Sequence, residues 1–341
     1  MSSIYDLIEG HKRISIIGME KNVGKTTVLN KIIKECKKRK GIAITSIGRD
    51  GEEQDLVTNT PKPRIYIYSG TIIATAKNAL AHCDITREIL EVTDCVTPMG
   101  EVVVVRALSD GYVDIAGPSY NEQILNIVKI MEKYGAELSL IDGALSRKGS
   151  AAAHVCDGTI LATGAALSPD MNVVVEESAN AVSSLTTQLY EGAEKELIIS
   201  NLEKYRTLFV MDDGKIEGVD KSIFLESGEE VIPYLKKGIK TVVIKGAITE
   251  KGVDTFIKNR DLFKNVNVIA VDGTKFFISP FTKQKASLSG IKFYVLNKIN
   301  LLFVTSNPTS PMGNNFHKGK FNELLKSRIQ YKVIDVMEEE V

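Results

Sequence analysis

The sequence has no tryptophan, and cysteine and histidine are scarce, with four residues of each among 341. The cysteines, Cys36, Cys83, Cys95 and Cys156, are far apart and form no CxxC pair, which argues against a zinc site. Lys plus Arg and Asp plus Glu both number 43, so the formal net charge is zero. A balanced charge gives no indication of a nucleic-acid partner.

Long apolar runs are also missing. No segment approaches the roughly 20 apolar residues that a membrane helix needs, and the first residues, Met-Ser-Ser-Ile-Tyr-Asp, lack the basic and apolar regions of a secretion signal. We therefore predict no membrane partner, a cytoplasmic location and reduced thiols. With 43% hydrophobic and 25% charged residues, the composition is typical of a globular protein with one large domain or two ordinary ones.

Apolar runs alternate with amphipathic segments through the first half of the chain. The predicted strands are 13–17, 42–47, 138–141 and 159–162, and the predicted helices are 26–38, 74–90, 121–134 and 170–190. This alternation predicts an α/β fold with a mostly parallel sheet and helices on both faces. Residues 102–107 and 112–115, on either side of Asp110-Gly111, predict a hairpin that adds antiparallel strands at one edge.

Beyond about residue 192 the predicted strands become shorter and lysine-rich linkers more frequent. Strands are predicted at 196–200, 207–211, 241–245, 266–271 and 301–306, a helix at 249–258, and a hairpin turn at Asp212-Asp213-Gly214. The alternation of predicted strands and helices therefore resumes after this change in composition. We predict a first domain over residues 1–192 and a second, smaller α/β unit over 193–341.

The strongest signal for chemistry is the run Gly18-Met-Glu-Lys-Asn-Val-Gly-Lys-Thr-Thr27, between a buried strand and an amphipathic helix. In a P-loop, backbone N–H groups of the loop and of the helix N-terminus cradle a phosphate. The lysine, here Lys25, reaches the β- and γ-phosphates, and the next hydroxyl, of Thr26, ligates Mg²⁺. The nucleotide-binding residues predicted from the run are Gly18, Asn22, Val23, Gly24, Lys25, Thr26 and Thr27.

Two acidic residues follow predicted strands. Asp142 ends the apolar run 138–141, where a Walker B aspartate would hold Mg²⁺ beside the P-loop strand. Asp50 lies in the loop after the second strand, and open α/β sheets bind ligands at the carboxyl ends of their strands. We predict Lys25, Asp50 and Asp142 as catalytic residues, and Thr26, Asp50 and Asp142 as metal ligands. The alternative for Asp50 is a solvated acidic loop.

Three further loops have an ordinary structural explanation beside the functional one. Arg147-Lys-Gly-Ser150 either contacts an anion or is a solvated basic turn. Thr163-Gly-Ala-Ala166 ends a predicted strand and is either a generic turn or a contact to substrate or nucleotide. Asn307, within Thr305-Ser-Asn-Pro-Thr-Ser-Pro-Met-Gly313, either reads a base or amide or belongs to an ordinary Asn-Pro turn.

The spacing of the two P-loop glycines carries a first resemblance. Five residues separate Gly18 from Gly24, one more than in the common pattern, and this resembles dethiobiotin synthetase and the cobyrinic and cobyric acid amide-forming synthetases. The resemblance implies ATP and Mg²⁺ as cofactors and phosphoryl transfer to a small carboxylic acid. The sequence departs from these enzymes, because no glutaminase cysteine with matched His and Glu is found and the second strand leads into Gly48-Arg-Asp50.

A second resemblance rests on four runs, 45–51, 111–119, 141–148 and the Asn307 loop. Together they look like the P-loop reactivase subunits associated with lysine 5,6-aminomutase, an adenosylcobalamin- and pyridoxal-phosphate-dependent enzyme. The resemblance implies an ATP-driven helper that opens a cobalamin-dependent aminomutase for cofactor exchange, with a MutS-like partner subunit. A nucleotide-sensing regulatory module is a third hypothesis. ATP is expected rather than GTP, since Asn297-Lys-Ile-Asn300 lacks the acidic residue of a guanine-reading motif.

Overall fold

The computed structural model describes residues 3–38, 41–48, 64–143, 155–221 and 228–337. The chain divides into two compact units, one formed by Met1–Ala179 with Asn300–Val341 and the other by Asn180–Ile299. Both are mixed α/β. Among the helices of the described ranges, none combines the length and the apolarity that a membrane span requires.

The elements are numbered in chain order. Up to the end of the first segment they are α1 (Ile4–Ile8), β1 (Arg13–Gly18), α2 (Lys25–Cys36), β2 (Ile42–Ser46), β3 (Ile65–Ile67), β4 (Ile72–Ala76), α3 (Lys77–Leu80), β5 (Arg87–Thr97), β6 (Gly100–Ala107), β7 (Gly111–Val113), α4 (Asn121–Lys133), β8 (Leu138–Asp142), β9 (Gly158–Gly164) and α5 (Met171–Leu185). The second unit adds α6 (Lys195–Leu202), β10 (Thr207–Met211), β11 (Ile216–Val219), α7 (Ile232–Lys236), β12 (Ile239–Ile244), β13 (Ile248–Thr249), α8 (Glu250–Lys258), β14 (Val266–Ala270), β15 (Phe276–Phe277), α9 (Pro280–Leu288) and β16 (Ile291–Val295). The chain then returns to the first unit with β17 (Leu301–Asn307), α10 (Lys318–Arg328) and β18 (Val333–Ile334).

The first unit is built on a nine-stranded sheet of order β18-β17-β9-β1-β8-β2-β4-β6-β5. Neighbouring strands are parallel from β18 to β4, and β6 and β5 add an antiparallel edge. The large, mostly parallel sheet with antiparallel strands at one edge confirms the prediction. Strand β1 lies between β8 and β9, with Ile16 opposite both Asp142 and Ile160.

Helices cover both faces of this sheet. Leu140 of β8 shares a buried cluster with Ile32 of α2, whereas its neighbour Ile141 shares another with Ile124 and Val128 of α4. Successive residues of a strand point to opposite faces, so α2 and α4 pack on opposite sides. Burying each of these aliphatic side chains contributes about 1.5–3 kcal/mol.

An ion pair fastens α4 to the amino end of β1. Arg13 Nε donates to Glu132 Oε1 at 2.8 Å and Arg13 Nη2 donates to Glu132 Oε2 at 2.9 Å. Hydrogen bonding to Glu132 raises the pKa of Arg13. This bidentate pair therefore lies at the opposite end of β1 from Gly18, and it orients the strand without entering the predicted site.

The antiparallel edge differs from the predicted hairpin. Strand β6 pairs with β5, whereas β7 pairs with β3 in a separate two-stranded sheet. Residues 74–90, predicted as one helix, contain the end of β4, the short α3 and the start of β5. Ala74 and Ala76 are completely buried in β4, so packing in the sheet overrides the helix propensity of alanine. Two register shifts in β5 obscure its strand alternation.

The second unit has a five-stranded sheet of order β11-β10-β12-β14-β16. Strands β12, β14 and β16 are parallel, and β10 and β11 form the predicted hairpin at 212–214. The strand predicted at 196–200 was wrong, since these residues lie in α6. Ile198 and Leu202 are buried while Leu197 and Ile199 are exposed, which is helical spacing rather than strand alternation.

The observed division of the chain differs from the predicted one at 192/193. Strand β17 pairs in parallel with β9, and β18 pairs with β17, so residues 300–341 belong to the first unit. Residues 180–192 belong to the second unit. An apolar run such as 301–306 predicts a strand, but nothing in the run says which sheet the strand will join.

Replacement of Phe303 tests this assignment. Its side chain is fully buried in the core cluster that includes Ile14 and Ile16, so Phe303→Ala should destabilise the first unit by about 3–5 kcal/mol through lost burial and a cavity. Hydrogen-exchange mass spectrometry should show lost protection in β1 and β9 and unchanged protection in β12 and β14. Leu288→Ala, at a side chain that is 83% exposed in α9, is the control and should change neither. Lost protection confined to the second unit would contradict the assignment.

Candidate functional site

The loop between β1 and α2 contains two residues with left-handed backbone. Asn22 has a φ of 62° and Gly24 a φ of 97°. Gly24 also occupies the N-cap position of α2, where no side chain accepts a hydrogen bond from the first turn. Glycine adopts this conformation without a steric penalty, which explains why the second glycine of the motif stands directly before the helix.

Lys25 folds back over the loop that precedes it. Its Nζ donates to the backbone carbonyl of Glu20 at 3.1 Å. A Cβ at Gly18 would lie 2.8 Å from Cγ, Cδ and Nζ of Lys25, so the absence of a side chain at Gly18 leaves room for the lysine. The structure thus places the two glycines and the lysine of the motif in one compact turn.

The N-terminus of α2 faces the carboxyl edge of the sheet. Val28 N donates to Gly24 O at 3.0 Å as the first backbone bond of the helix, and Thr26 and Thr27 in the first turn are half-buried. The N–H groups of a helix N-terminus carry partial positive charge and attract anions. Lys25 adds a full positive charge to the same turn. The arrangement suits a phosphate.

This turn lies where the strand order of the sheet reverses. From β1 the chain continues through α2 to β2 on one side, whereas β9, on the other side of β1, continues towards β17. In open α/β sheets such a switch point leaves a crevice beyond the carboxyl ends of the two diverging strands, and ligands bind there. The loop after Gly18 and the turn after Gly164 follow the carboxyl ends of these two strands.

Asp142 ends β8, the neighbour of β1. It lies opposite Ile16 of β1 and Ser46 of β2, and its backbone is held on both sides. Ile47 N donates to Asp142 O at 2.9 Å, and Gly143 N donates to Ile16 O at 3.0 Å. The half-buried carboxylate is therefore at the same edge as the P-loop motif, as the sequence predicted from the position of this strand.

Asn307, at the end of β17, lies beside the P-loop motif. Its Nδ2 donates to Asn22 O at 3.3 Å, and a Cβ at Gly24 would lie 3.4 Å from Asn307 Cβ. Its Oδ1 accepts hydrogen bonds from Thr309 N at 3.1 Å and Thr309 Oγ1 at 2.8 Å. Both ends of the amide are engaged within the protein, which favours a role in holding the loop over base reading.

The turn after β9 packs tightly on the same residue. Ala165 N donates to Asn307 O at 2.9 Å, and Asn314 Nδ2 donates to Ala165 O at 2.8 Å. A Cβ at Gly164 would lie only 2.4 Å from Asn307 O, so glycine is required by close approach of two backbones. The turn 163–166 and the Asn307 loop, far apart in the sequence, therefore support each other. The sequence did not predict the contribution of Asn314 to this contact. The one feature that could have indicated it is that Asn314 directly follows the Asn307 loop.

Asp50 and Arg147–Ser150 lie outside the described residues. In the described part of the chain no three or more His, Cys, Asp or Glu side chains form a group that would hold a metal ion. A P-loop magnesium site does not need such a group, because a threonine hydroxyl and phosphate oxygens supply ligands.

Gly164→Ala tests the contact that supports the loop. Overpacking of a close backbone contact costs about 1–3 kcal/mol, so the variant should unfold at clearly lower urea concentration than the parent. Gly313→Ala in the adjacent loop is the matched control. Gly313 has a φ of 85° and open space around its Cβ position, so its cost is limited to backbone strain, about 1 kcal/mol. Equal or reversed effects would contradict the packing of β9 against Asn307.

Comparisons of this chain with protein-family models, with curated proteins and with solved structures find no match.

Proposed function

We propose that this chain binds ATP with Mg²⁺ at residues 18–27 and hydrolyses it, using a P-loop of the NTPase type. The observation that carries the proposal is the turn between the central strand β1 and α2, in which Lys25 folds over Gly18 and the helix begins at a left-handed Gly24. A glycine-rich turn that opens a helix at a switch point of a parallel sheet is suited to a polyphosphate.

Each residue has a role in the proposal. Backbone N–H groups of 22–27 hold the β-phosphate, and Lys25 exchanges its bond to the Glu20 carbonyl for the β- and γ-phosphates. Thr26, Asp142 and Asp50 hold Mg²⁺, whose charge would offset the negative charge that develops during phosphoryl transfer. Asp142 fits this role because it ends the strand beside β1. Asn307 keeps the loop in place through the Asn22 carbonyl.

Lys25→Ala should remove nucleotide binding and hydrolysis. Hydrogen bonds to charged groups contribute about 1.5–3 kcal/mol each, so the affinity for ATP should fall by at least about tenfold in isothermal titration calorimetry, with turnover reduced to background. Lys21→Ala is the matched control, since Lys21 is an exposed lysine of the same loop and no P-loop role is predicted for it. Unchanged ATP affinity and turnover in Lys25→Ala would refute the proposal.

We further propose that hydrolysis drives the reactivation of a cobalamin-dependent aminomutase, lysine 5,6-aminomutase by resemblance. Support comes from where the resembling runs lie. Gly48 N donates to Pro118 O at 2.9 Å, Gly117 N donates to Ser46 Oγ at 3.0 Å, and Ser46 pairs with Asp142. Described parts of three runs that are distant in the sequence thus meet at the edge that holds the P-loop motif.

A reactivase of this kind works by a population shift. The ATP-bound and ADP-bound forms must bind the aminomutase with different affinity, since a ligand that favours neither state moves no equilibrium. A MutS-like subunit is the expected second component. The competing hypothesis, a ligase that phosphorylates a small carboxylic acid, needs no protein partner and consumes one acid for each ATP.

The test is ATP hydrolysis measured alone, with active aminomutase and with aminomutase whose cobalamin has been inactivated. The helper hypothesis predicts slow hydrolysis alone and clearly faster hydrolysis with the inactivated enzyme, accompanied by recovery of aminomutase activity when adenosylcobalamin is supplied. Lys25→Ala should show neither effect. Stoichiometric consumption of a carboxylic acid with ATP would favour the ligase and reject the helper. Binding without hydrolysis under all conditions would favour a nucleotide-sensing module.

A further inference from the structure

The second unit contains a lysine in an unusual environment, where the last turns of α5 face the start of α9. Lys283 lies in the first turn of α9, which begins at Pro280. Its Nζ donates to Ser184 Oγ at 2.8 Å and lies 3.4 Å from Ser183 Oγ. Among the described residues, the hydrogen-bond partners of this amine are thus two neutral hydroxyls.

The surrounding charges do not neutralise an ammonium here. In the described ranges no carboxylate forms an ion pair with Lys283. Glu250 of α8 instead accepts hydrogen bonds from Ser279 N and Thr282 Oγ1 at the start of α9. Asp272 accepts from Thr274 N at 2.8 Å, and Lys285 stacks on the ring of Phe281.

The position of Lys283 in the helix and its burial both disfavour the charged form of its amine. The N-terminal turn of a helix carries partial positive charge and disfavours a cation. Burial lowers the pKa of Lys283 to about 8, against about 10.4 for a lysine in water. A substantial fraction of this amine is therefore uncharged and nucleophilic near neutral pH, whereas an ordinary lysine is almost entirely protonated.

The environment of Lys283 borders solvent on one side. Lys283 is half-buried and Ser183 is exposed. One turn earlier on α5, Asn180 donates through Nδ2 to Ile278 O at 3.1 Å, and its buried Oδ1 has no hydrogen-bond partner among the described residues. The contact between α5 and the 278–283 segment is therefore polar, and one of its buried hydrogen-bond acceptors has no donor among the described residues.

We propose that Lys283 is an acylation site, which takes an acyl group from a small acyl phosphate. The neutral Nζ attacks the carbonyl carbon, a C–N bond forms, and the C–O bond to phosphate breaks. Phosphate leaves with the electron pair of that bond, and the amine proton passes to solvent. The product is a neutral amide, which removes an uncompensated positive charge from the first turn of α9. The proposal does not rest on nucleotide binding.

The test uses acetyl phosphate on the full chain, with mass spectrometry of digests to follow acetylation at each lysine. Lys283 should be acetylated about tenfold faster than Lys285 at pH 7.5, because more of its amine is uncharged. Lys285 is the internal control, two residues along the same helix and exposed. The advantage should shrink above pH 9, as all lysines lose their protons. Equal or slower reaction at Lys283 would overturn the proposal.

A second variant separates chemistry from folding. Ser183→Asp changes an exposed residue and places a carboxylate near Nζ, which should raise the pKa of Lys283 and slow its acetylation at pH 7.5 by about tenfold. Lys285 should react at its former rate, which shows that the helix is intact. Lys25→Ala should leave both rates unchanged. An unchanged rate of acetylation at Lys283 in the Ser183→Asp variant would contradict the environment that we assign to its amine.

Discussion

Parallel hydrogen bonding of β1 between β8 and β9 is the constraint on which the rest of the structure depends. It fixes Ile16 opposite Asp142 on one side and Ile160 on the other. All three strands then end at one edge, so the loop after Gly18 begins where a carboxylate and a glycine turn also arrive. Residues more than a hundred positions apart become neighbours because parallel strands direct their carboxyl ends to the same edge.

The loop after Gly18 is supported from outside as well as by its own glycines. Asn307 touches it through the Asn22 carbonyl, and the backbone of Asn307 is itself held against Gly164 and Ala165. Such support matters for a phosphate site, because precise positioning of first-turn N–H groups depends on neighbours that do not touch the ligand. Strand β17, near the end of the chain, thus supports the loop between β1 and α2.

The second unit is an insertion in the first. The chain leaves the large sheet through α5, which follows β9, and returns through residues 296–300 to β17. The outgoing link follows the carboxyl end of β9, beyond Gly164, whereas the returning link enters β17 at its amino end, Leu301.

Local patterns in the sequence determined the elements whose signal is short-range. The buried strand before Gly18, the helix after Lys25 and the strand that ends in Asp142 follow from apolar runs and helical spacing, and so does the mostly parallel sheet. Which strands pair was decided only by the tertiary structure. Strand β6 pairs with β5 rather than with β7, and β17 joins the sheet of the first unit. The sequence indicated Asn307 as a candidate residue in a loop, but it did not predict the contact between Asn307 and Asn22. Strand pairing and the packing of distant loops depend on the burial available in the whole fold, which no local run of residues records.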